Sequence, residues 1–252
     1  MTRSDLVSVA QKLVTEGKGI LAADESSPTI KKRFDTIGVD STEENRRTYR
    51  ELLFTTPDIE KHISGVILFD ETLRQKATNT DSFVRVLESR GIIPGIKVDK
   101  GAKPLAGFKG ERITEGLDGL RQRLAEYRDL GAKFAKWRAV ITIADNIPTQ
   151  FCMDANSRAL ARYAALCQEV GIVPIVEPEV LIDGDHTIER SAEVIEAVLH
   201  GVFHALHRHG VVTECMVLKP SMVTPGKEAP AKASPEAVAG ATLRVFRRAV
   251  PA

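Results

Sequence analysis

Short β-branched apolar runs alternate with longer stretches of helical periodicity along the chain. The short runs predict strands over 19–24 (GILAAD), 65–69 (GVILF), 94–99 (PGIKVD), 134–141 (FAKWRAVI), 173–178 (VPIVEP) and 215–220 (CMVLKP). Between them the clearest helical stretches are 115–130, 154–170 and 187–209; in the second, Ala155, Ala159, Tyr163, Leu166 and Val170 recur at helical spacing. Gly131, Gly171 and Gly210 each close a helical run just before the next strand, where a left-handed cap belongs. Strand and helix in regular alternation predict a parallel sheet with helical crossovers. The segment TPGKEAPAKASP (224–235) reads as loop, and a helix over 235–249 follows. No linker-like shift in composition divides the chain, so residues 1–252 are expected to form a single domain.

The strands depart from the pattern of a buried parallel sheet. A strand covered on both faces reads as a nearly continuous apolar run, yet five of these six carry charge at or near their C-terminal ends. Side chains alternate faces with a period of two. One face therefore shows Ala22 and Asp24 on the first strand, Lys97 and Asp99 on the third, and Lys136 and Arg138 on the fourth. The fifth shows Glu177 and Glu179, and the sixth shows Lys219 with Ser221 beyond it. In a (β/α)8 barrel of the TIM type, such positions gather at the mouth where active sites lie. Structural ion pairs could explain one such strand. Five together desolvate so much charge that a functional site is the better reading.

Composition narrows the class. With 252 residues, 43% hydrophobic and 27% charged, the chain can bury a large core without a disulfide or metal. That length also matches one barrel of about 250 residues. Thirty-five Lys and Arg against thirty-four Asp and Glu leave a net charge of +1, which gives no broad basic field for nucleic acid or membrane surfaces. The N-terminus, MTRSDLVSVAQKLV, lacks the unbroken apolar run of a signal peptide, and no run reaches membrane-spanning length. Cys152, Cys167 and Cys215 are odd in number and show no CxxC spacing, which predicts reduced thiols and a cytoplasmic protein.

Lysines clustered with carboxylates suit one chemistry in particular. Desolvation and cationic neighbours free a lysine amine for Schiff-base formation with a carbonyl. A protonated imine draws electrons from the adjacent carbon, and carboxylates such as Glu177 and Asp24 can move the protons. Arg138 and the remaining lysines point to an anionic substrate, with phosphate the natural choice. Spacing alone does not choose among the lysines.

At these residues the chain resembles class I fructose-bisphosphate aldolase. The likeness runs through GKGILAADES (17–26), TEENRRTYRELL (42–53), GIKVDKG (95–101), PLAG (104–107) and EGLDGL (115–120). It continues through FAKWR (134–138), ARYA (161–164), GIVPIVEPE (171–179), DGDH (183–186) and LKPSMVTPG (218–226). The resemblance implies reversible cleavage of fructose 1,6-bisphosphate to dihydroxyacetone phosphate and glyceraldehyde 3-phosphate, with no cofactor and no metal. It implies that Lys219 forms the Schiff base and that Lys136 assists carbinolamine formation and dehydration. Asp24 would orient the reacting hydroxyls and Glu177 would be the leading general acid and base, with Glu179 and Arg138 holding the charge network. Lys97, Ser26 and Arg33 match the group near the distal phosphate. Family members with TGS in the next segment use its last serine for phosphate; here the segment reads SPT, which puts Thr29 in that place. The family also implies a homo-oligomer, a tetramer when full-length.

Two features lie outside this pattern. His200, His204 and His207 are spaced i, i+4 and i+7 on a crossover helix, with His209 adjacent, and are expected to face solvent. Trp137 alternates away from Lys136 and is expected to pack under a helix. A transaldolase-like or deoxyribose-phosphate-aldolase-like barrel is an alternative that the VEPE and LKP segments argue against. The resembled family continues with LSGGQS-like and SYGRA-like segments in its last two strands, and no counterpart follows Val223. The expectation is therefore a C-terminally incomplete barrel with weak or absent cleavage by the chain alone. Its alternative is an impaired, aldolase-like binding or assembly subunit.

Overall fold

The computed structural model describes residues 2–251. In chain order the elements are α1 (Arg3–Leu13), β1 (Gly19–Ala23), α2 (Ser27–Asp35), α3 (Glu43–Phe54), β2 (Ile63–Leu68), α4 (Asp70–Arg74) and α5 (Phe83–Glu88). Then come β3 (Ile93–Lys97), β4 (Ala102–Pro104), β5 (Arg112–Thr114), α6 (Leu120–Asp129), β6 (Phe134–Ile141) and α7 (Gln150–Val170). The last are β7 (Val173–Val180), α8 (Ile188–Arg208), β8 (Val217–Leu218) and α9 (Pro235–Ala249). Six strands hydrogen-bond in the order β1-β2-β3-β6-β7-β8, and β4 and β5 form a separate antiparallel pair. The chain divides into two compact units, the first holding the residues up to Val98 with Arg121–Lys136 and Cys167–Pro174. The second holds Asp99–Leu120, Trp137–Leu166 and the residues from Ile175 onward.

In the first unit β1, β2, β3 and the start of β6 lie side by side in parallel register, with Gly95 opposite Phe134 and Lys97 opposite Lys136. Two of these strands, β2 and β3, close on one aromatic ring. Phe134 is fully buried, and a Cβ added at Gly95 would lie 2.3 Å from its ring. A Cβ at Gly65 would lie 2.6 Å from the Leu13 side chain of α1 and 3.1 Å from Phe134. Glycine is therefore required at both strand positions, because the ring occupies the space a side chain would need.

In the second unit, α7 begins four residues earlier than its periodicity predicts. The buried Glu111 carboxylate accepts hydrogen bonds from the Thr149 N–H at 2.6 Å and the Thr149 hydroxyl at 2.7 Å, and so fixes the entry to the helix. Trp137 is fully buried and stacks on Tyr163 of α7, with centroids 5.6 Å apart, as its alternation predicts. On α8, Thr187 caps the N-terminus through the Arg190 N–H. Val194, Ile195, Val198, Leu199, Val202 and Leu206 make its buried face. His200, His204 and His207 lie exposed on the other side.

Gly131, Gly171 and Gly210 all take positive φ, as expected of helix caps. Two further boundaries need correction. The helix predicted over 115–130 starts only at Leu120, because Gly119 at φ 66° interrupts any earlier turn. The strand predicted over 215–220 is confined to Val217–Leu218, since Thr213–Cys215 form a 3-10 turn before it and Pro178 of β7 has no N–H to extend the ladder beyond Lys219. The hairpin of β4 and β5 has no counterpart among the predicted elements.

Gly95→Ala is expected to destabilise the fold by about 1–3 kcal/mol or more through overpacking against Phe134. Gly240→Ala, on α9 with open space around its Cα, should instead add roughly 0.5–1 kcal/mol. Guanidinium unfolding midpoints of the two variants provide the check, and equal midpoints would contradict the packing argument.

Candidate active site

The charged strand ends resolve into specific pairs. In the first unit, Asp24 follows β1 directly and accepts a hydrogen bond from the Lys136 ammonium on β6 at 3.2 Å. Both side chains are nearly enclosed, at 11% and 8% exposure. Ser26 and Thr29 share a hydroxyl–hydroxyl hydrogen bond of 3.1 Å at the start of α2. Arg33, one turn further along that helix, is ion-paired to Glu25. Glu25 also meets the buried Arg50 of α3 at 2.7 Å. Lys97 ends β3 half-buried.

In the second unit, the Lys219 ammonium donates to Glu177 Oε1 at 2.6 Å. Exposure within this pair is very unequal: half of the Lys219 side chain is open to solvent, against 7% of Glu177. The two residues come from adjacent strands, and the backbone N–H of Lys219 bonds to Val176 O at 2.9 Å. Arg138 on β6 and Glu179 on β7 form an ion pair through the guanidinium Nε. Burial works against the Arg138 charge, but the contact with Glu179, helped by Glu177 and Asp99, outweighs it and raises the guanidinium pKa above its ordinary value. Asp99 is buried and accepts from the N–H groups of Gly101 at 3.1 Å and Arg138 at 3.3 Å.

This geometry can do specific chemistry. A primary amine that is reachable from solvent and in hydrogen-bond contact with a buried carboxylate has its proton acceptor already in place. The lysine held by Asp24 is too enclosed for the same role without rearrangement. The three cysteines are buried and form no disulfide with one another, and burial followed by the nearby Glu111 charge pushes the Cys152 thiol up to about 11. Among the described residues, no group of three or more His, Cys, Asp or Glu could hold a metal ion. No helix among them is long and apolar enough to cross a membrane.

The sequence pattern missed the buried Glu25–Arg50 pair. Its only signal was a charged residue inside an apolar-flanked motif, with its partner 25 residues away. It also passed over a clasp of loops beyond β7. Gly226 N bonds to His186 O at 2.8 Å, Lys227 N to Ile182 O at 2.7 Å, and Glu228 N to Gly184 O at 3.0 Å. The approach is so close that a Cβ at Gly226 would lie 2.1 Å from the Gly184 carbonyl oxygen. His186 is buried within this clasp.

A family model described as fructose-bisphosphate aldolase class-I matches residues 5–252. The probable fructose-bisphosphate aldolase class 1 of Xanthomonas campestris pv. campestris is 58% identical over all of this chain and 75% of its own length. Mouse fructose-bisphosphate aldolase C is 53% identical over 99% of this chain and 69% of its own. A co-crystal structure of fructose-bisphosphate aldolase from Plasmodium falciparum matches with a TM-score of 0.97 at 51% identity, covering 98% of this chain and 72% of that one. The fold is accordingly of the (β/α)8 TIM-barrel type, with six of its parallel strands evident in this chain.

Burial lowers the His186 pKa from its ordinary 6.5, against the opposing pull of Asp185, Glu228 and the Thr224 backbone. Below about pH 6.5 the unfolded chain therefore takes up a proton that the folded clasp resists, and stability falls until the pH passes the depressed folded value. The guanidinium midpoint should drop between pH 7.5 and 5.5 in the native protein and drop less in His186→Asn. Parallel pH dependence in both would refute the assignment.

Proposed function

Because the chain belongs to the class I fructose-bisphosphate aldolase family, we propose that it cleaves fructose 1,6-bisphosphate reversibly to dihydroxyacetone phosphate and glyceraldehyde 3-phosphate through an imine on Lys219. The observation that carries this reading is the 2.6 Å contact between the half-exposed Lys219 ammonium and the buried Glu177 carboxylate. It favours Lys219 over Lys136 as nucleophile on accessibility, since Lys136 is enclosed and held by Asp24.

On this reading Glu177 takes a proton from the Lys219 ammonium, and the freed amine attacks the C2 ketone to form a carbinolamine. With Lys136 assisting, the proton held by Glu177 is delivered to the departing hydroxyl, so that water leaves, a protonated imine remains and Glu177 is again a carboxylate. The C4 hydroxyl then gives its proton to Glu177 as the C3–C4 bond breaks. The bonding pair moves onto C3 to form an enamine while glyceraldehyde 3-phosphate departs. Proton return to C3 and addition of water release dihydroxyacetone phosphate and regenerate the amine. Asp24 orients the hydroxyls of the substrate. Arg138 and Glu179 keep the surrounding charge in place, and Lys97, Ser26, Arg33 and Thr29 take the distal phosphate. A homo-oligomer, tetrameric by family resemblance, and a cytoplasmic location belong to the same reading.

Borohydride added to the protein with fructose 1,6-bisphosphate should leave a mass adduct on the peptide containing Lys219 and none in Lys219→Met. An adduct on Lys136, or none in the native chain, would overturn the assignment. Glu177→Gln is expected to slow cleavage by about 100-fold or more, read as kcat in a coupled assay for the triose phosphates.

A further inference from the structure

The β7–β8 ladder is only two residue pairs long, Ile175 with Val217 and Val176 with Leu218. Carrying that register forward sets Glu177 beside Lys219 and then Pro178 beside Pro220. The Lys219 N–H points to β7, so the next donor towards β8 would be residue 178; Pro178 has no N–H, and backbone pairing ends at the point where the ammonium and carboxylate must meet. Lysine also carries a long, flexible stem, and an anchored backbone is needed to hold its amine at one place.

The chain is re-anchored immediately afterwards by a side chain. The Ser221 hydroxyl accepts from the Val180 N–H at 3.0 Å and donates to the Val180 carbonyl at 3.3 Å. Val180 is the buried last residue of β7. One hydroxyl thus takes up both backbone groups of a neighbouring-strand residue, which a serine can do because its oxygen both donates and accepts. Together with the Lys219 N–H on Val176 O at 2.9 Å, it grips the backbone on both sides of the Lys219–Pro220 step. The next tether along the chain is Val223 N to the Thr242 hydroxyl of α9 at 2.9 Å.

We propose that Ser221 is a positioning residue for the reactive lysine: its hydroxyl replaces the strand pairing that Pro178 forbids, and so holds Lys219 against Glu177. The proposal rests on Lys219 as the imine-forming residue, and it assigns Ser221 no contact with substrate.

The test compares Ser221→Ala, Ser221→Cys and Ser221→Thr in two arms. The first uses no substrate: trace acetic anhydride is reacted with the native protein near neutral pH, and acylation of Lys219 is read by mass spectrometry against the exposed Lys61. Losing the hydroxyl should raise the relative acylation of Lys219 several-fold, while Thr, which keeps it, should leave native behaviour. The second arm follows borohydride trapping and steady-state cleavage of fructose 1,6-bisphosphate. Ser221→Ala should lower the trapping rate and kcat by about 10- to 100-fold, the scale of a misplaced reacting group, with little change in KM. Cys, with its weaker hydrogen bonding, should fall between Ala and Thr, and the Cys–Thr comparison carries the test if the Ala variant does not fold. Native acylation and trapping in Ser221→Ala or Ser221→Cys would overturn the proposal while leaving the aldolase reading intact. Absence of any adduct in the native protein would instead remove the aldolase reading, and the acylation arm would still decide the role of Ser221.

Discussion

The Lys219 ammonium lies 2.6 Å from a buried carboxylate, and much of the surrounding architecture serves to keep it there. Burying Glu177 is costly unless a cation meets it, and an amine left half open to solvent gains a fixed proton acceptor from the contact. Neither charge would hold its place on a loop. Glu177 is carried by an eight-residue strand whose neighbours are almost all buried, and Lys219 is tied to that strand by its own backbone. Pro178, which has no N–H, stops the ladder at this point. The local structure therefore leans on a serine hydroxyl and on the loop clasp around His186.

The strands divide the labour along their length. In β2 and β3, before their C-terminal ends, glycine makes room for the buried Phe134 ring, which leaves no space for an added side-chain atom. Towards the C-terminal ends the same alternation delivers Asp24, Lys97 and Lys136 in one unit, and Arg138, Glu177 and Glu179 in the other. Packing rigidity at one end of a strand is what makes an expensive charge at the other end worth holding to a fraction of an ångström.

Much of this was legible in the chain. Short apolar, β-branched runs placed six strands, period-two alternation gave the face on which their charges lie, and the glycine caps fell where helices had to stop. The β4–β5 hairpin escaped notice because three-residue strands are too short to show a period. The true start of α7 escaped it because the group that fixes it, Glu111, is 38 residues from Thr149. The charged site residues stood out against apolar surroundings, and the motif resemblance supplied their roles. The Glu25–Arg50 pair gave no comparable signal, since a buried ion pair between a strand end and a helix looks in sequence like two ordinary surface residues.

Taken alone, the sequence determined the alternation of strand and helix, the face on which charge would gather, and the family. All three follow from local periodicity and residue type, which need no knowledge of partners. Tertiary structure decided which charges pair and which lysine is accessible. Lys136 and Lys219 are equivalent in composition and strand phase, yet one is enclosed against Asp24 and the other opens to solvent beside Glu177. It also decided what Ser221 does, because a hydroxyl has no evident task until the register of β8 against β7 sets it on the Val180 backbone. Burial and hydrogen-bond partnership are properties of neighbours brought together by folding, and no spacing along the chain encodes them directly.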